Sequence, residues 1–467
     1  MARNVAVWLV ALTMAGLMMA MALAGAARAQ DAVGAWHGTL TTPAGDLRIG
    51  VTVVRDAAGA LSGTMVSPDQ TQQPFPLGDV SADSGKLTFT VPLVRGRYEG
   101  TWDPNLQVWT GTWTQGPPLR LALLKGPVAV RNRPQVPPKP YPYAEADVTV
   151  QSVPGVTLAC SLTTPTGKGP FPGVVMITGS GAQDRNEALL GHQPFLVISD
   201  HLTRKGISVL RCDDRGFAKS TGVFGTATSA DFALDTEAEA AFLRGQPTID
   251  PRRVGLIGHS EGGMIAPMVA TTDPKIAFIV LMAGPGAPIR ELMVAQRAAV
   301  AKASGADPAA TARNEALATK IDAAVLAAKD TASASADAAR IIRPEYPNLP
   351  EAIIAGLAVP VSTPWYRYFI AYDPRTTLAK VKVPILALDG SKDVQVVSAQ
   401  NLPAIREATR ANKDVTIVEL PGLNHLFQTA GTGGPAEYGS IEETLSPMAL
   451  NLISDWVVRH TAKGAAK

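Results

Sequence analysis

From Val254 to Ala270 the chain reads Val-Gly-Leu-Ile-Gly-His-Ser-Glu-Gly-Gly-Met-Ile-Ala-Pro-Met-Val-Ala. The short apolar run Val254 to Ile257 predicts a buried strand and Met264 to Ala270 a helix, with Gly258-His259-Ser260-Glu261-Gly262 squeezed between them. A serine on so sharp a strand-to-helix turn leaves no room for a Cβ two residues before it or two residues after it, so glycine at both places is what the turn demands. The hydroxyl of Ser260 then stands free above a sheet. The backbone N–H of Glu261, at the start of the helix where unpaired N–H groups and the dipole favour negative charge, can help hold an oxyanion. A bare G-x-S-x-G arises by chance in Gly-rich chains. The strand before it and the helix after it make this one a candidate nucleophile elbow.

The remainder of the 467 residues must therefore supply a sheet, its helices and partners for Ser260. With 46% hydrophobic and 18% charged residues the chain is globular and long enough for a large domain and a smaller one. A net charge of +2 with both signs interspersed points to no nucleic-acid partner. Arg3 precedes an apolar run from Val5 to about Leu23, and Ala27-Arg28-Ala29 has a small-x-small cleavage pattern. This predicts a signal peptide over 1–29 cut after Ala29, with a periplasmic or secreted destination and no stable membrane insertion afterwards. The run is nearly long enough to span a bilayer, so an uncleaved N-terminal membrane anchor is the alternative.

Over 30–125 apolar and polar residues alternate in short runs broken by Gly, Asp and Pro, which predicts an all-β domain. Gly38-Thr39, Gly63-Thr64, Gly100-Thr101 and Gly111-Thr112 recur in strand-like runs and suggest a meander of about eight strands closing into a small barrel or sandwich. Trp36, Tyr98, Trp102, Trp109 and Trp113 are expected in its core rather than on a ligand platform, and His37 is read as structural. Six prolines between Gly126 and Tyr143 predict a semi-rigid linker.

After the linker, strands alternate with helices, which implies a mostly parallel sheet flanked by helices. Strands are expected near Asp147–Gln151, Val156–Leu162, Gly173–Ile177, Ile207–Arg211, Val254–Ile257, Ile276–Met282, Pro384–Leu388 and Val415–Glu419, within a domain formed by 144–285 and 375–467. The alternation stops over 286–374, where Ala-rich helical segments precede Pro364-Trp365-Tyr366-Arg367-Tyr368-Phe369. An insert there sits above the carboxyl edge of the sheet, where ligands bind, and reads as a helical cap. Trp365, Tyr366, Tyr368 and Phe369 either wall a substrate pocket or staple the cap helices together.

Three loops complete the chemistry. Thr178-Gly179-Ser180-Gly181-Ala182-Gln183-Asp184-Arg185 follows a strand, and its glycines let the backbone approach a reacting carbonyl; the Ser180 N–H is the expected second oxyanion donor, with Gly181 the runner-up. A phosphate-cradling loop is the lesser alternative, since no Gly-Lys-Ser/Thr follows. Asp213-Asp214-Arg215-Gly216 comes straight after another strand and is expected to supply an Arg–Asp pair bracing the loops, with substrate positioning the alternative. After Pro384–Leu388 two aspartates qualify as the acid of a triad, and Asp393, past the turn at Gly390, is favoured over Asp389, which ends the strand itself. With the chain order Ser, acid, His, the base is His425, which excludes His37, His192, His201 and His259; His460 reads as a capping residue. No Cys/His cluster offers a metal site, so no metal or organic cofactor is expected. Cys160 and Cys212 both lie in apolar strand-like segments, and two buried free thiols are favoured over one bridge.

From about Tyr143 onward the chain resembles the α/β-hydrolase superfamily. Gly179-Ser180-Gly181-Ala182-Gln183-Asp184-Arg185, Gly258-His259-Ser260-Glu261-Gly262-Gly263 and Asp393-Val394-Gln395-Val396 together resemble a bacterial carboxylesterase subgroup that carries a β-rich N-terminal domain. The resemblance implies an α/β-hydrolase fold, hydrolysis of short-to-medium acyl esters of small molecules, and Ser260, Asp393 and His425 at the triad positions. Ala218 departs from it, at a place where such hydrolases often have Gly. A serine peptidase or acyltransferase with the same triad, and a periplasmic ligand-binding protein with a vestigial hydrolase domain, are the other readings.

Overall fold

The computed structural model describes residues 31–42, 45–129 and 132–462. The expected signal segment, 1–29, lies outside them. Two compact units divide between residues 130 and 131.

The first unit holds nine strands, β1 (Gly34–Thr42), β2 (Gly45–Arg55), β3 (Leu61–Ser67), β4 (Thr71–Pro76), β5 (Gly78–Asp83), β6 (Lys86–Val91), β7 (Gly96–Asp103), β8 (Val108–Thr114) and β9 (Pro118–Lys125). All neighbours are antiparallel, in the order β4-β3-β2-β1-β9-β8-β7-β6-β5. The two edge strands, β4 and β5, are joined by Leu77 alone, so the ends of the sheet meet and the sheet curls into a barrel-like ribbon. That one-residue junction, after Pro74 and Pro76, is where the ninth strand separates from the eight expected. Alternate residues point inward, and Trp36, Tyr98, Trp109 and Trp113 are buried there. Trp102 is partly buried against Trp36 and Trp109, and the Tyr98 hydroxyl donates to the Trp109 carbonyl at 3.0 Å. These aromatics form the core.

The second unit is built on β10 (Ala144–Gln151), β11 (Thr157–Thr164), β12 (Phe171–Ile177), β13 (Ser208–Cys212), β14 (Ile249–His259), β15 (Ile279–Met282), β16 (Ile385–Gly390) and β17 (Val415–Leu420), in the order β10-β11-β13-β12-β14-β15-β16-β17. β10, β11 and β13 pair antiparallel; from β13 to β17 every pair is parallel. The inner parallel strands are buried on both faces, as the apolar run Val174-Val175-Met176-Ile177 requires, while the edge strand β17 is half-buried. Val174 and Met176 pack with Phe195 of helix Pro194–Arg204 and Trp456 of helix Pro447–Thr461. Val175 and Ile177 face the other layer, with Leu243 of helix Ser229–Arg244 and Ile265 of helix Glu261–Thr272. This is the α/β-hydrolase architecture. Between β15 and β16 a run of helices from Ile289 to Leu378 forms the cap, with a small core of its own around Val325, Ala338, Ile354 and Ile370.

One expectation is corrected here. Cys160 and Cys212 are not free thiols but a disulfide, with sulfurs 1.99 Å apart. The sheet order sets β13 beside β11, and the antiparallel register pairs Cys160 directly with Cys212, their Cα atoms 4.0 Å apart.

Candidate active site

Ser260 sits between β14 and helix Glu261–Thr272 with φ 54° and ψ −117°, a backbone state a serine adopts only where its surroundings over-determine it. The surroundings are backbone. A Cβ on Gly258 would lie 2.0 Å from the Gly262 carbonyl oxygen, and one on Gly262 would lie 2.2 Å from that of Ile177. The Ser260 N–H donates to the Met282 carbonyl at 2.8 Å, which ties the turn to the neighbouring strand.

The loop after β12 passes directly over this turn, since a Cβ on Gly179 would come within 3.2 Å of the Ser260 Cβ. The Gly179 N–H is already given to Glu187 Oε1 at 2.7 Å. Ser180 lines the same cavity as Ser260, while Gly181, with φ 94°, lines a small separate cavity behind the loop. Asp213 and Asp214 hold the loop from the end of β13. Asp213 accepts a bidentate pair from Arg185, and Asp214 accepts the Thr178 hydroxyl at 2.7 Å and the Gln183 N–H at 2.8 Å. Burial pushes the Asp214 carboxyl up to about 8. Arg215 pairs with Asp235 instead, at 2.6 and 2.8 Å. Ala218, the departure from the family pattern, has φ 47°, which explains why glycine suits that place.

On the far side of the cavity His425 Nδ1 lies 2.7 Å from Asp393 Oδ2, and both side chains are buried. Asp393 Oδ1 accepts the N–H groups of Gln395 (2.7 Å) and Val396 (2.9 Å), so the backbone holds one oxygen of the carboxylate and leaves the other for the ring. Burial works to raise the Asp393 pKa, but His425, Asp389 and the Val396 N–H together hold it below the ordinary value. Asp389 stands behind it, and burial and the Asp393 charge push its carboxyl well above the usual range, which favours its protonated form. Asp393, rather than Asp389, is the aspartate that touches the histidine.

Ser260, His425, Ser180, Glu261, Trp365, Tyr366 and Phe369 all line one cavity of about 240 Å³; Asp393 is screened from it by His425. The cap supplies an uncharged wall of Leu292, Met293, Gln296 and the three aromatics. Tyr368 is not part of it and stacks on Tyr372. Pocket wall and cap staple coincide: Tyr366 gives its hydroxyl to Asp322 at 2.7 Å within the cap, while the Trp365 indole N–H donates to Glu261 Oε1 at 2.8 Å and fastens the cap to the residue after Ser260. Glu261 also accepts from Ser229 at 2.6 Å, and burial leaves its pKa raised in spite of these donors.

Two residues of the site were not singled out from sequence. Glu187 and His259 line the cavity, pair at 3.0 Å, and connect the loop over Ser260 to the His425 main chain. The position of His259 beside Ser260 was the available signal; nothing local identifies Glu187. Among the described residues no group of three or more His, Cys, Asp or Glu side chains is placed to hold a metal ion, and no helix is long and apolar enough to cross a membrane.

A strand-turn-helix serine above a parallel sheet, with a cap over the carboxyl edge, defines a hydrolase of the α/β-hydrolase fold. Residues 154–426, more than half of the chain, match the family model of the X-Pro dipeptidyl-peptidases, and the protein belongs to this S15 family. It is similar to esterase EstD of Thermotoga maritima, 26% identical over 327 residues that cover 68% of this chain and 69% of that protein. Among solved structures, the Pyrococcus furiosus esterase Pf2001 aligns at 16% identity with a TM-score of 0.43, over 71% of this chain and 98% of the other. The α/β-hydrolase GrgF of Penicillium sp. sh18 aligns at 18% identity and TM-score 0.43, over 68% and 99%.

Proposed function

We propose that this protein is an exported serine carboxylesterase that hydrolyses short-to-medium acyl esters of small molecules through Ser260, His425 and Asp393. The observation that carries the reading is the buried His425–Asp393 contact of 2.7 Å opening onto the same cavity as the strained Ser260 turn. Ser260 Oγ attacks the ester carbonyl carbon while His425 takes its proton, and Asp393 stabilises the imidazolium through Nδ1–H. The oxyanion is held by the N–H groups of Glu261 and Ser180. His425 returns the proton to the departing alcohol, leaving an acyl group on Ser260, and water activated by the same ring releases the acid.

Supporting an ester over a dipeptide is the state of the two carboxyls in the cavity. A dipeptidyl-peptidase must bind a free ammonium, yet Oε1 of Glu187 already accepts from Gly179 and His259, and Glu261 accepts from Ser229 and Trp365. The cavity, about 240 Å³, is also below the roughly 300–1,000 Å³ of sites for drug-sized ligands. The signal-like N-terminus supports export, as does the disulfide, which persists in oxidising compartments.

The experiment is hydrolysis of p-nitrophenyl esters from acetyl to palmitoyl beside an X-Pro p-nitroanilide, with wild type and Ser260→Ala. Rates that peak at short chains and fall by about 10⁴-fold or more in Ser260→Ala support the reading. Anilide cleavage exceeding ester cleavage would move the protein to the peptidases, and ester hydrolysis surviving Ser260→Ala would sink the mechanism.

A further inference from the structure

We propose that Glu187 and His259 form a buried carboxylate–imidazolium pair that positions the loop over Ser260 and the His425 loop relative to each other, and that turnover depends on the second proton of His259. The inference rests on the ester-hydrolysis reading above only for its effect on rate; the protonation state stands on hydrogen-bond geometry.

His259 Nδ1 lies 3.0 Å from Glu187 Oε1, and Nε2 lies 3.0 Å from the main-chain carbonyl oxygen of His425. Both partners are acceptors. A neutral imidazole has one N–H and one lone pair, so it satisfies one of them and turns a lone pair on the other. Only the doubly protonated ring donates to both. Glu187 Oε1 meanwhile accepts the Gly179 N–H at 2.7 Å, so it faces two donors. His259 and Glu187 are both about 93% buried, which makes an unmet partner costly.

Three segments that must act on one reacting carbon are joined through this ring. Gly179 precedes the expected oxyanion donor Ser180, His259 precedes Ser260, and the third bond fixes the backbone of His425 itself. The groups around the ring agree with a positive charge. Burial works against it, but Glu187, the His425 carbonyl and Asp393 beyond it outweigh that, and the ring is held above the ordinary imidazole value. The His425 ring is 4.9 Å away, and Phe427 closes another side at 6.4 Å. Asp214, at the end of β13, feels the Glu187 charge, and burial pushes its carboxyl up to about 8, which disfavours a second negative charge there at neutral pH. Glu187 and His259 are positioning residues: they act through the groups they hold.

Glu187→Gln separates the charge from the scaffold, because the amide oxygen still accepts from Gly179. His259 then loses its counter-charge and is neutral at alkaline pH. The test uses the full chain with ¹⁵N-imidazole NMR and kinetics on p-nitrophenyl acetate between about pH 5.5 and 9. In the wild type at neutral pH both His259 nitrogens should be protonated, and in Glu187→Gln only one. At about pH 8.5 kcat of the variant should be down by roughly 10²-fold, the scale of a small misplacement of catalytic groups, with KM changed little. The variant-to-wild-type ratio should climb as pH falls and the ring regains its proton. A ratio that is flat with pH, or a neutral His259 in the wild type, overturns the proposal, the second even if the variant fails to fold. Fluorophosphonate labelling of Ser260 in the wild type reports separately on the hydrolase reading: no labelling overturns that reading and the kinetic role of the pair together, whereas labelling with a flat ratio overturns the pair alone.

Discussion

Removing the Cys160–Cys212 bridge by Cys160→Ala/Cys212→Ala should destabilise the catalytic unit by an amount its position sets. The bridge closes a loop with a sequence separation of 52 residues. On the chain-entropy account the unfolded state regains 2.1 + 1.5R ln 52, about 14 cal/mol/K, or about 4 kcal/mol at 25 °C. For a unit of roughly 340 residues, unfolding entropy near 2.1 cal/mol/K per residue gives about 0.7 kcal/mol/K, so Tm should fall by about 6 °C. Function is exposed to the same loss. Cys212 immediately precedes Asp213 and Asp214, the two carboxyls that hold Arg185, Thr178 and Gln183 of the loop over Ser260. Ester hydrolysis should therefore decay at lower temperature in the variant while its rate at 25 °C stays close to wild type. Calorimetry and residual-activity curves measure both, and thiol titration of the denatured, unreduced wild type should find no free thiol. Two titrating thiols, or a variant melting within about 1 °C of the wild type, would refute the reasoning.

The two aspartates of the β16 loop should separate cleanly. Asp393→Asn loses the charge that faces His425 and should lower kcat by about 10⁴-fold, whereas Asp389→Asn puts an isostere in place of a carboxyl whose protonated form burial favours and should stay within roughly three-fold, both read on p-nitrophenyl acetate. Buried Glu239 supplies a pH test of stability. Burial, with Asp235 and Asp214 nearby, raises its pKa well above the ordinary 4.5, so as pH rises past that value the unfolded chain releases a proton the folded one keeps. Unfolding free energy then falls by up to about 1.4 kcal/mol per pH unit from this group. Glu239→Gln removes the loss: its Tm should equal that of the wild type or lie below it near pH 4 and overtake it as pH rises above the ordinary carboxyl range in thermal scans.

What could be read from the sequence is what short-range sterics encode. The turn at Ser260 is legible because two residues on either side of it only hydrogen fits, and Gly258 and Gly262 meet backbone at 2.0 and 2.2 Å. The apolar strands are legible because a parallel sheet buries both faces, and Asp393 stands out from Asp389 because the chain turns at Gly390 between them. The β-rich unit shows in its alternation, though its ninth strand is hidden by a junction of one residue at Leu77.

Tertiary structure decided whatever depends on which strands and loops become neighbours. Cys160 and Cys212 pair because β13 lies against β11, out of chain order, and no local pattern states that order. Trp365 reaches Glu261 across 104 residues of sequence, and Glu187 reaches His259 across 72. A carboxyl on a loop looks the same in sequence whether it faces water, a guanidinium or an imidazole. Its partner, and therefore its charge, comes from packing, which brings distant segments within 3 Å and removes the water that would otherwise make the choice irrelevant.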